Sequence, residues 1–375
     1  MQGGIQLKLL IGPEPQPASA SSEMVEALAS AQVQVAAGGS QAGFELTFDL
    51  APRSPLLTQF LLSGGGSVKS VRVVLVVQIG GHVEPVIDGI VMNVAMQSGE
   101  GGMIKLVVKG KDLTALMDEK DRTVTYGGMS RKDRVEKVLK GYEVFGVKPM
   151  VIKSIIEDIP LLSDRIPQQF GTDYAYLTDL AQEAGHVFYL DPGPTPANST
   201  AYWGPENRVG EPQPALSVNM DAVTNVEHLT FNFDRERTTT PNAYYQEPSS
   251  KEAFDAGSSD TSRLNPPLGQ ATTLPARTRN LCNSAHLSQQ SARMAALAYT
   301  GQNSDSVFGT GSLEVVRYGR LLKSRQLVGV RGAGLPFDGL YYVTSVTHDI
   351  KRGVYKQSFT LARNGLLSTV ATVRI

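Results

Sequence analysis

One β-meander pattern occurs twice in this chain, and its two copies lie about 250 residues apart. The first copy begins at Asp88-Gly89 and the second at Asp338-Gly339, and in each a strand, a glycine turn and a second strand follow. A further apolar run with its own glycine break precedes each copy. Hairpins with glycine turns are common, but the matching start, arm lengths and preceding strand favour a true duplication. The repeat therefore predicts two related β-domains and an internal pseudo-symmetry, which ring-shaped assemblies use.

The length and the order of apolar patterns predict a β-rich α+β protein. A chain of 375 residues exceeds one ordinary domain. We expect a small barrel or sandwich of about six strands at 1–112, an α/β region at 113–211, a second β-domain from 212–234 and 308–366, an insertion of polar loop and helix at 235–307, and a C-terminal tail at 367–375. Within the insertion, the polar stretch 235–276 is expected to form a long surface excursion or a partly disordered loop.

Charge and cysteine content exclude several classes of function. The 35 basic and 36 acidic residues give a formal net charge of −1, so the chain has no basic excess for neutralising phosphates, and nucleic-acid recognition is not expected. The single cysteine, Cys282, excludes a disulfide framework and a thiolate metal site. The N-terminus lacks a signal-peptide pattern, and no run reaches the roughly 18 apolar residues of a membrane span. We therefore expect synthesis in the cytosol and no membrane anchor.

No group of side chains indicates a catalytic, cofactor-binding or metal site. The five histidines have no partner at metal-ligand spacing, and each is expected at the surface or at a strand edge. His348 precedes Asp349 at the end of a hairpin, where a salt bridge is expected. Adjacent carboxylates such as Glu157-Asp158 point apart on regular structure and are expected to be solvated. A catalytic triad is defined by geometry, so none is assigned.

Three segments carry a resemblance to a known family. Gly339–His348 followed by Tyr355–Asn364 resembles the C-terminal signature of the phage late-control D proteins, which are baseplate hub proteins of contractile tails and contractile injection systems. Val107–Leu113 resembles the family's exit from its first barrel, and Thr172–Gly185 resembles its middle helix with the terminal glycine. The resemblance covers most of the chain from about residue 70 to 366 and is poorest at 235–300.

The resemblance implies two tandem tube-like antiparallel β-barrels joined by an α/β domain, with a second helical and loop insertion, in a homotrimer. Three chains with two barrels each would present six similar units. Such a ring adapts a trimeric spike to a hexameric inner tube. Asp88, Gly89, Asp338 and Gly339 are then the duplicated turn motif. Alternation along the strands would place Leu106, Val108, Phe359 and Leu361 in the barrel cores.

The resemblance also implies the partners. They are the spike protein, the inner tube protein, other baseplate components and, in the lumen, a tape-measure or cargo protein. In related type VI secretion spikes the hub and needle are fused, whereas this chain stops at Ile375 without a repetitive β-helix. A separate spike polypeptide is therefore expected. The protein would be made in the bacterial cytoplasm and incorporated into an injection particle or tail baseplate.

Two alternative functions remain open. A tail-tip peptidoglycan hydrolase would need an acidic pair or a Cys/His pair in a cleft, for which the α/β region is the expected place, and the sequence shows neither arrangement. A carbohydrate-binding β-module would need exposed aromatic platforms, but aromatic residues make up 7% of the chain and Trp203 is the single tryptophan. A hub needs no turnover chemistry, and no enzymatic activity is expected.

Overall fold

A computed structural model describes residues 5–57, 70–99, 102–163, 165–247, 249–257, 264–282 and 284–370. The first third forms antiparallel strands because polar and apolar residues alternate along it. In β4, for example, Phe44, Leu46 and Phe48 are buried and the residues between them are partly exposed. The elements are β1 (Gln6–Pro13), β2 (Ala18–Ser19), α1 (Ser22–Ala27), β3 (Leu28–Ala36), β4 (Gly43–Leu50), β5 (Val71–Ile79), β6 (His82–Ser98) and β7 (Ile104–Asp112).

The middle third is an α/β unit with its own core. Ser130 and Asp133 form a capping box that begins one helix, and Gly146 ends the following 3-10 turn in the left-handed region, with a φ of 79°. The second long helix of this unit, Asp173–Glu183, lies within the segment 172–185 that resembles the family's middle helix. The elements are α2 (Thr114–Met117), β8 (Asp121–Thr125), α3 (Arg131–Leu139), a 3-10 helix (Lys140–Phe145), β9 (Val147–Val151), β10 (Gln168–Thr172), α4 (Asp173–Glu183), β11 (Val187–Pro192) and β12 (Ser199–Gly204).

The last part returns to strands and contains the insertion. Its elements are β13 (Gln213–Ser217), a 3-10 helix (Asp221–Val223), β14 (His228–Phe233), a 3-10 helix (Arg235–Arg237), β15 (Thr239–Asn242), β16 (Tyr244–Gln246), β17 (Ala253–Asp255), β18 (Gly269–Thr272), β19 (Arg277–Asn280), α5 (Gln289–Gln302), β20 (Val307–Glu314), α6 (Val315–Tyr318), β21 (Leu327–Arg331), β22 (Gly339–Lys351), β23 (Val354–Arg363) and β24 (Gly365–Ser368).

The two β-rich parts have the same strand order. In the first half the hydrogen-bonded order is β3-β4-β7-β6-β5-β1, and in the second it is β14-β20-β23-β22-β21-β13. Each strand of one half thus has a counterpart in the other. One difference is that β1 pairs antiparallel with β5, whereas β13 pairs parallel with β21. The common order agrees with the duplication expected from the repeated meander.

The two halves belong to one sheet of 13 strands, because β3 pairs with β22. Among the described residues, neither half is closed on itself by strand pairing. Buried side chains from both halves form one apolar cluster that includes Leu46, Val108, Val346 and Phe359. The fold is therefore β-rich as predicted, and the two expected barrels appear as two halves of a continuous sheet.

The middle unit has a separate core. Trp203 is fully buried there, packs with Val135 and Leu177, and donates its indole N–H to the Leu177 carbonyl at 3.2 Å. In its small sheet, β12 pairs antiparallel with β11 and parallel with β9. This unit is therefore a distinct packing unit beside the large sheet.

The insertion is more ordered than its polar composition predicts. β15 pairs with β19, β16 pairs with β17, and β18 pairs with β24. The last pair joins residues about 100 positions apart, such as Ala271 and Leu366, which composition in a local window cannot show. β24 spans the predicted boundary after residue 366, because pairing with β18 extends the strand to Ser368.

Candidate functional site

The junction between the two halves shows how one repeat pairs with the next. The C-terminal part of β22 lies between β23 and β3, with Ser345 opposite Ala36 and Lys351 opposite Ser30. On the core side, Val346 and Ile350 are 0% and 3% exposed. Backbone groups that would otherwise lie on two open strand edges therefore pair with each other over seven residues of each strand. The junction is a strand-addition interface within one chain.

His348 lies inside this junction, opposite Val33 of β3. Its Nδ1 is 2.7 Å from the hydroxyl of Tyr355, and the side chain is buried. Burial lowers the pKa of His348 to about 3. The expected salt bridge with Asp349 at a hairpin end is wrong, because successive residues of a strand face opposite sides of the sheet and His348 takes the core side.

The first open edge is the C-terminal part of β6, the counterpart of the paired part of β22. Among the described residues, positions 91–98 pair with β7 alone. Val94 and Met96 lie opposite Val108 and Leu106 and therefore share the core-side face. Met96 is nevertheless 62% exposed. An apolar side chain on the core face of a sheet is thus left uncovered along this edge.

The second open edge is β14, the counterpart of β3. Among the described residues it pairs with β20 alone. Leu229, Phe231 and Phe233 alternate along β14 on the core-side face, and Phe233 is 42% exposed. β14 contains no Lys, Arg, Asp or Glu, and neither does the stretch 91–98. Native proteins usually protect free edges with charges, prolines or short strands, and neither edge has such protection.

The two ends of the sheet beside β1 and β21 are protected in that way. β2, beyond β1, has only 2 residues and follows Pro15 and Pro17. β13, beyond β21, has 5 residues and contains Pro214. Proline cannot donate a backbone hydrogen bond and occurs at strand edges that stay unpaired. β6 and β14 lack such protection, so they are the two edges suited to pairing with a further strand.

The four predicted core positions all lie in the buried face of the sheet. Leu106 and Val108 are on β7, and Phe359 and Leu361 are on β23, with exposed fractions of 0% to 2%. By strand order β7 and β23 are counterparts. These residues line the same apolar cluster, which underlies both open edges.

The duplicated turn motif is placed differently in the two halves. Asp338 precedes β22 and accepts a hydrogen bond from the Ala333 amide at 2.8 Å, and Gly339 has a φ of 126°. Asp88 and Gly89 instead lie within β6. The expectation that both pairs begin a strand is therefore wrong for the first copy, because Asp88 is buried and satisfied by an ion pair within the sheet.

Bulges give a better alignment of the halves than the Asp-Gly pairs. One bulge lies at Met92, between Val91 and Asn93 of β6, and the other at Thr344, between Val343 and Ser345 of β22. Aligning the bulges shifts the two Asp-Gly pairs by two residues relative to each other. A shift of two residues keeps every side chain on its face, so the sequence pattern survives it.

Packing across counterpart strands is complementary rather than identical. In the first half Phe44 of β4 lies opposite Gly110 of β7, and in the second half Gly309 of β20 lies opposite Leu361 of β23. A Cβ on Gly110 would lie 2.3 Å from the Phe44 ring. Each pair thus contains one large and one small residue, but the large residue lies on β4 in the first half and on β23, the counterpart of β7, in the second. A core keeps its packing when the total volume of a contact pair is conserved in this way.

Two buried arginines tie the sheet to the middle unit. Arg72 is fully buried and forms a bidentate pair with Asp88 at 2.6 and 2.7 Å. It also donates to the carbonyls of Phe145 and Ala197 in the middle unit. Arg325 donates to the carbonyl of Ala36, at the junction, and to that of Leu190. Their isolated positions in the sequence carry no signal of these contacts.

One row of side chains on the face of the sheet opposite the core is polar. Hydroxyls follow one another across it, with Thr230 and Thr310 Oγ1 atoms 2.9 Å apart and Ser345 Oγ 2.7 Å from Thr360 Oγ1. In the first half the counterpart row contains the exposed Lys109–Glu45 ion pair at 2.9 Å. A polar, charge-balanced row is suited to contact with water or with a hydrated surface.

The middle unit borders a cleft of about 390 Å³ that Asp173, Tyr142 and Arg122 help to line. Asp173, the buried carboxylate there, accepts from Tyr142 at 2.7 Å and from Gln169 at 2.7 Å, and it pairs with Arg122 at 3.2 Å. Burial raises the pKa of Tyr126 at the cleft wall to about 12. This network accounts for Asp173 as a structural group.

The described ranges contain neither a candidate metal site nor a candidate membrane-spanning helix. No group of three or more His, Cys, Asp or Glu side chains could hold a metal ion there. No helix in those ranges is long and apolar enough to cross a membrane. His186, the other buried histidine, packs edge-on against Trp203 with ring centroids 4.4 Å apart, and its burial contradicts the expected position at the surface or at a strand edge.

Solved structures with a similar fold include bacterial tail proteins. The tail protein of Neisseria meningitidis MC58 matches with a TM-score of 0.60 and 14% identity over 96% of this chain and 98% of that chain. The 43 kDa tail protein of prophage MuSo2 from Shewanella oneidensis matches with a TM-score of 0.59 and 14% identity over 97% and 100%. A chain of the Francisella PdpA–VgrG complex matches with a TM-score of 0.61 and 12% identity, and this protein spans 55% of it.

These comparisons confirm the predicted resemblance at the level of the fold. No protein-family model matches the sequence, and no curated protein matches it. Because the sequence identities to the solved structures are 12–14%, the likeness shows a shared fold and does not by itself show a shared function.

Proposed function

We propose that this chain is the structural baseplate hub of a contractile injection system or contractile phage tail. In this proposal three copies form a ring of six related β-units. The observation that carries it is the common strand order of the two halves, joined by β3–β22 pairing, together with one open edge of each kind. A chain that pairs one repeat with the next, and leaves the same two kinds of edge free at its ends, is suited to ring assembly.

The ring would solve a symmetry mismatch. A homotrimer offers three identical positions to a trimeric spike, while its six related units offer matching positions to a hexameric inner tube. The likeness in fold to tail proteins, over nearly the full length of two of them, supports this setting. The spike is a separate chain in this proposal, and other baseplate components surround the ring. A tape-measure or cargo protein would occupy the lumen.

The buried arginines support a rigid adaptor. Arg72 and Arg325 each bridge the large sheet and the middle unit through backbone carbonyls. Backbone acceptors are fixed in position, so such bridges hold the two units in one orientation. A hub that transmits force between a spike and a tube requires this kind of fixed geometry.

The proposal assigns no enzymatic role. A peptidoglycan hydrolase would require an acidic pair free to react, and Asp173 in the middle cleft is engaged by three side chains. A carbohydrate-binding module would require exposed rings, and Trp203 is fully buried. Release of soluble fragments from purified peptidoglycan, or retention on a glycan array, would favour one of these alternatives.

The adaptor role can be tested by reconstitution from purified proteins. The spike protein and the inner tube protein of the same particle are mixed with and without this chain, and complexes are separated by size-exclusion chromatography. We expect the spike and tube to co-elute only when this chain is present. Direct binding of the spike to the tube in its absence, or binding of this chain to neither, would contradict the role.

A further inference from the structure

We infer that β14 of one copy adds to the open edge of β6 in the next copy and thereby reproduces the internal β3–β22 junction between subunits. This inference rests on the proposed trimer and specifies its interface. The occupant of each edge is a second copy of this chain. The reason is continuity, since β14 is the counterpart of β3 and β6 is the counterpart of β22.

The register of the new pair follows from the internal one. Aligning the bulges at Met92 and Thr344 makes Val94 the counterpart of Val346 and Met96 the counterpart of His348. The pairing of β3 with β4, and of β14 with β20, makes Phe233 the counterpart of Val35 and Phe231 the counterpart of Val33. β7 and β23 link the two alignments, because Val94 pairs with Val108 and its counterpart Val346 pairs with Phe359.

The internal pairs then give the intersubunit pairs directly. Val346 opposite Val35 becomes Val94 opposite Phe233 of the next copy, and His348 opposite Val33 becomes Met96 opposite Phe231. On the other face, Thr347 opposite Gln34 becomes Ala95 opposite Asn232. The register is thus fixed residue by residue.

The side chains fit this register. On the core-side face, the exposed Met96 and Phe233 would be covered by apolar partners, which removes apolar area from water. On the polar face, Ala95 and Gln97 would meet Asn232 and Thr230. A slip of one residue would place Met96 opposite Asn232 and mix the two faces. The alternation of both strands therefore supports the register derived from the junction.

The arrangement is head-to-tail rather than two-fold. Each copy contributes two different surfaces, β6 and β14, and each surface is used once. Contacts of this kind form a closed ring when the rotation between copies closes, and a filament when it does not. Within the proposed trimer, three such contacts alternate with three internal β3–β22 junctions and leave neither edge free.

Cysteine cross-linking tests the inference on the full-length chain. The background is Cys282→Ser, because Cys282 is exposed and would give unrelated disulfides. In that background, Ala95→Cys with Asn232→Cys is oxidised and analysed without reductant, alone and with the spike protein. We expect a covalent trimer as the final product. Mixing the two single-cysteine proteins should give covalent dimers and nothing larger.

A matched control uses Ala95→Cys with His228→Cys. His228 lies on the same face of β14 but four residues from Asn232, or about 13 Å along the strand, too far for a disulfide. Because neighbouring pairs alternate between hydrogen-bonded and non-hydrogen-bonded geometry, Met96→Cys with Phe231→Cys tests the other class. We expect that at least one in-register pair cross-links and that the control does not.

The outcomes separate this inference from the proposed function. A trimer by light scattering that gives no cross-link with either in-register pair, or equal cross-linking with the control, would overturn the inferred interface and leave the trimer standing. A chain that stays monomeric with and without the spike would overturn both. We expect that at least one in-register cysteine pair gives a covalent trimer and that the control pair gives no cross-link.

Discussion

Val346 of β22 lies directly opposite Val35 of β3, and both face the core. The two residues are more than 300 positions apart and belong to different halves of the duplicated sheet. Their pairing converts two related sets of strands into one continuous sheet. It also supplies a template for the contact between subunits, because the counterparts of these two residues lie on the two unprotected edges.

A charge placed at the inferred subunit contact should prevent assembly. Met96→Asp would bury a carboxylate against the Phe231 side chain of the next copy, at a cost of several kcal/mol, so that Kd rises more than about 100-fold. The fold should be retained because Met96 is 62% exposed in the single chain. The measurement is mass by light scattering, with thermal unfolding of the same samples.

The control for this variant is Met150→Asp on β9. Met150 is the same residue type and is 50% exposed, but it lies away from both open edges. It should assemble like the natural chain. Loss of assembly in both variants, or in neither, would count against the β6 edge.

The buried ion pair between Arg72 and Asp88 should be essential for stability. Arg72→Met leaves Asp88 buried with Ser199 as its remaining partner, and we expect a loss of about 3–5 kcal/mol in the free energy of unfolding. Changing both residues, to Met and Leu, should recover part of that loss. Lys109→Met, which breaks the exposed pair with Glu45, should cost less than about 1 kcal/mol. Urea unfolding measures all three, and equal costs for the two single variants would contradict this account.

His348 should make stability depend on pH. Its pKa is about 3 in the folded chain and 6.5 as the ordinary value, so between these values the unfolded chain binds the additional proton. The stabilisation from the neutral, buried His348 is therefore fully present above pH 6.5. The free energy of unfolding decreases as the pH falls below that value, and the decrease amounts to about 2 kcal/mol at pH 5.

His348→Gln removes this titration and keeps a polar partner for Tyr355. The natural chain should therefore lose more stability than the variant between about pH 7.5 and about pH 5, by about 2 kcal/mol in urea unfolding. His186, whose pKa burial lowers to about 4, is present in both proteins and cancels in the comparison. Parallel losses in the two proteins would show that His348 is not buried as described.

The small members of two counterpart residue pairs, Gly110 on β7 and Gly309 on β20, should respond differently to a methyl group. A Cβ on Gly110 would meet the Ile90 carbonyl oxygen and the Phe44 ring at 2.3 Å, whereas the three atoms nearest to a Cβ on Gly309 all belong to side chains, the nearest at 2.8 Å. Backbone cannot move aside as a side chain can. Gly110→Ala should therefore cost about 2–3 kcal/mol and Gly309→Ala about 1 kcal/mol or less, by thermal or urea unfolding.

Local patterns predicted much of the architecture. The meander repeat indicates two related halves, and the segment Thr172–Gly185 predicts a middle helix, which the structure has at Asp173–Glu183. These features depend on residues a few positions apart. Local periodicity and capping are sufficient to describe them.

Long-range pairing accounts for most of what the sequence did not show. The β3–β22 junction, the β18–β24 pair and the contacts of Arg72 all join residues far apart in the chain. The sequence predicts His348 at the surface or at a strand edge, because a lone histidine at a hairpin end resembles an exposed residue. Its burial depends on β3, which reaches it only in the folded chain.

The molar mass of the full-length chain in solution, measured by light scattering with and without the spike protein, tests the central claim most directly. One chain has a mass of 40.3 kDa. A ring closed by three β6–β14 contacts predicts a mass three times that value, for the chain alone or within its complex with the spike. A stable monomer indifferent to the spike, or a dimer, would contradict it.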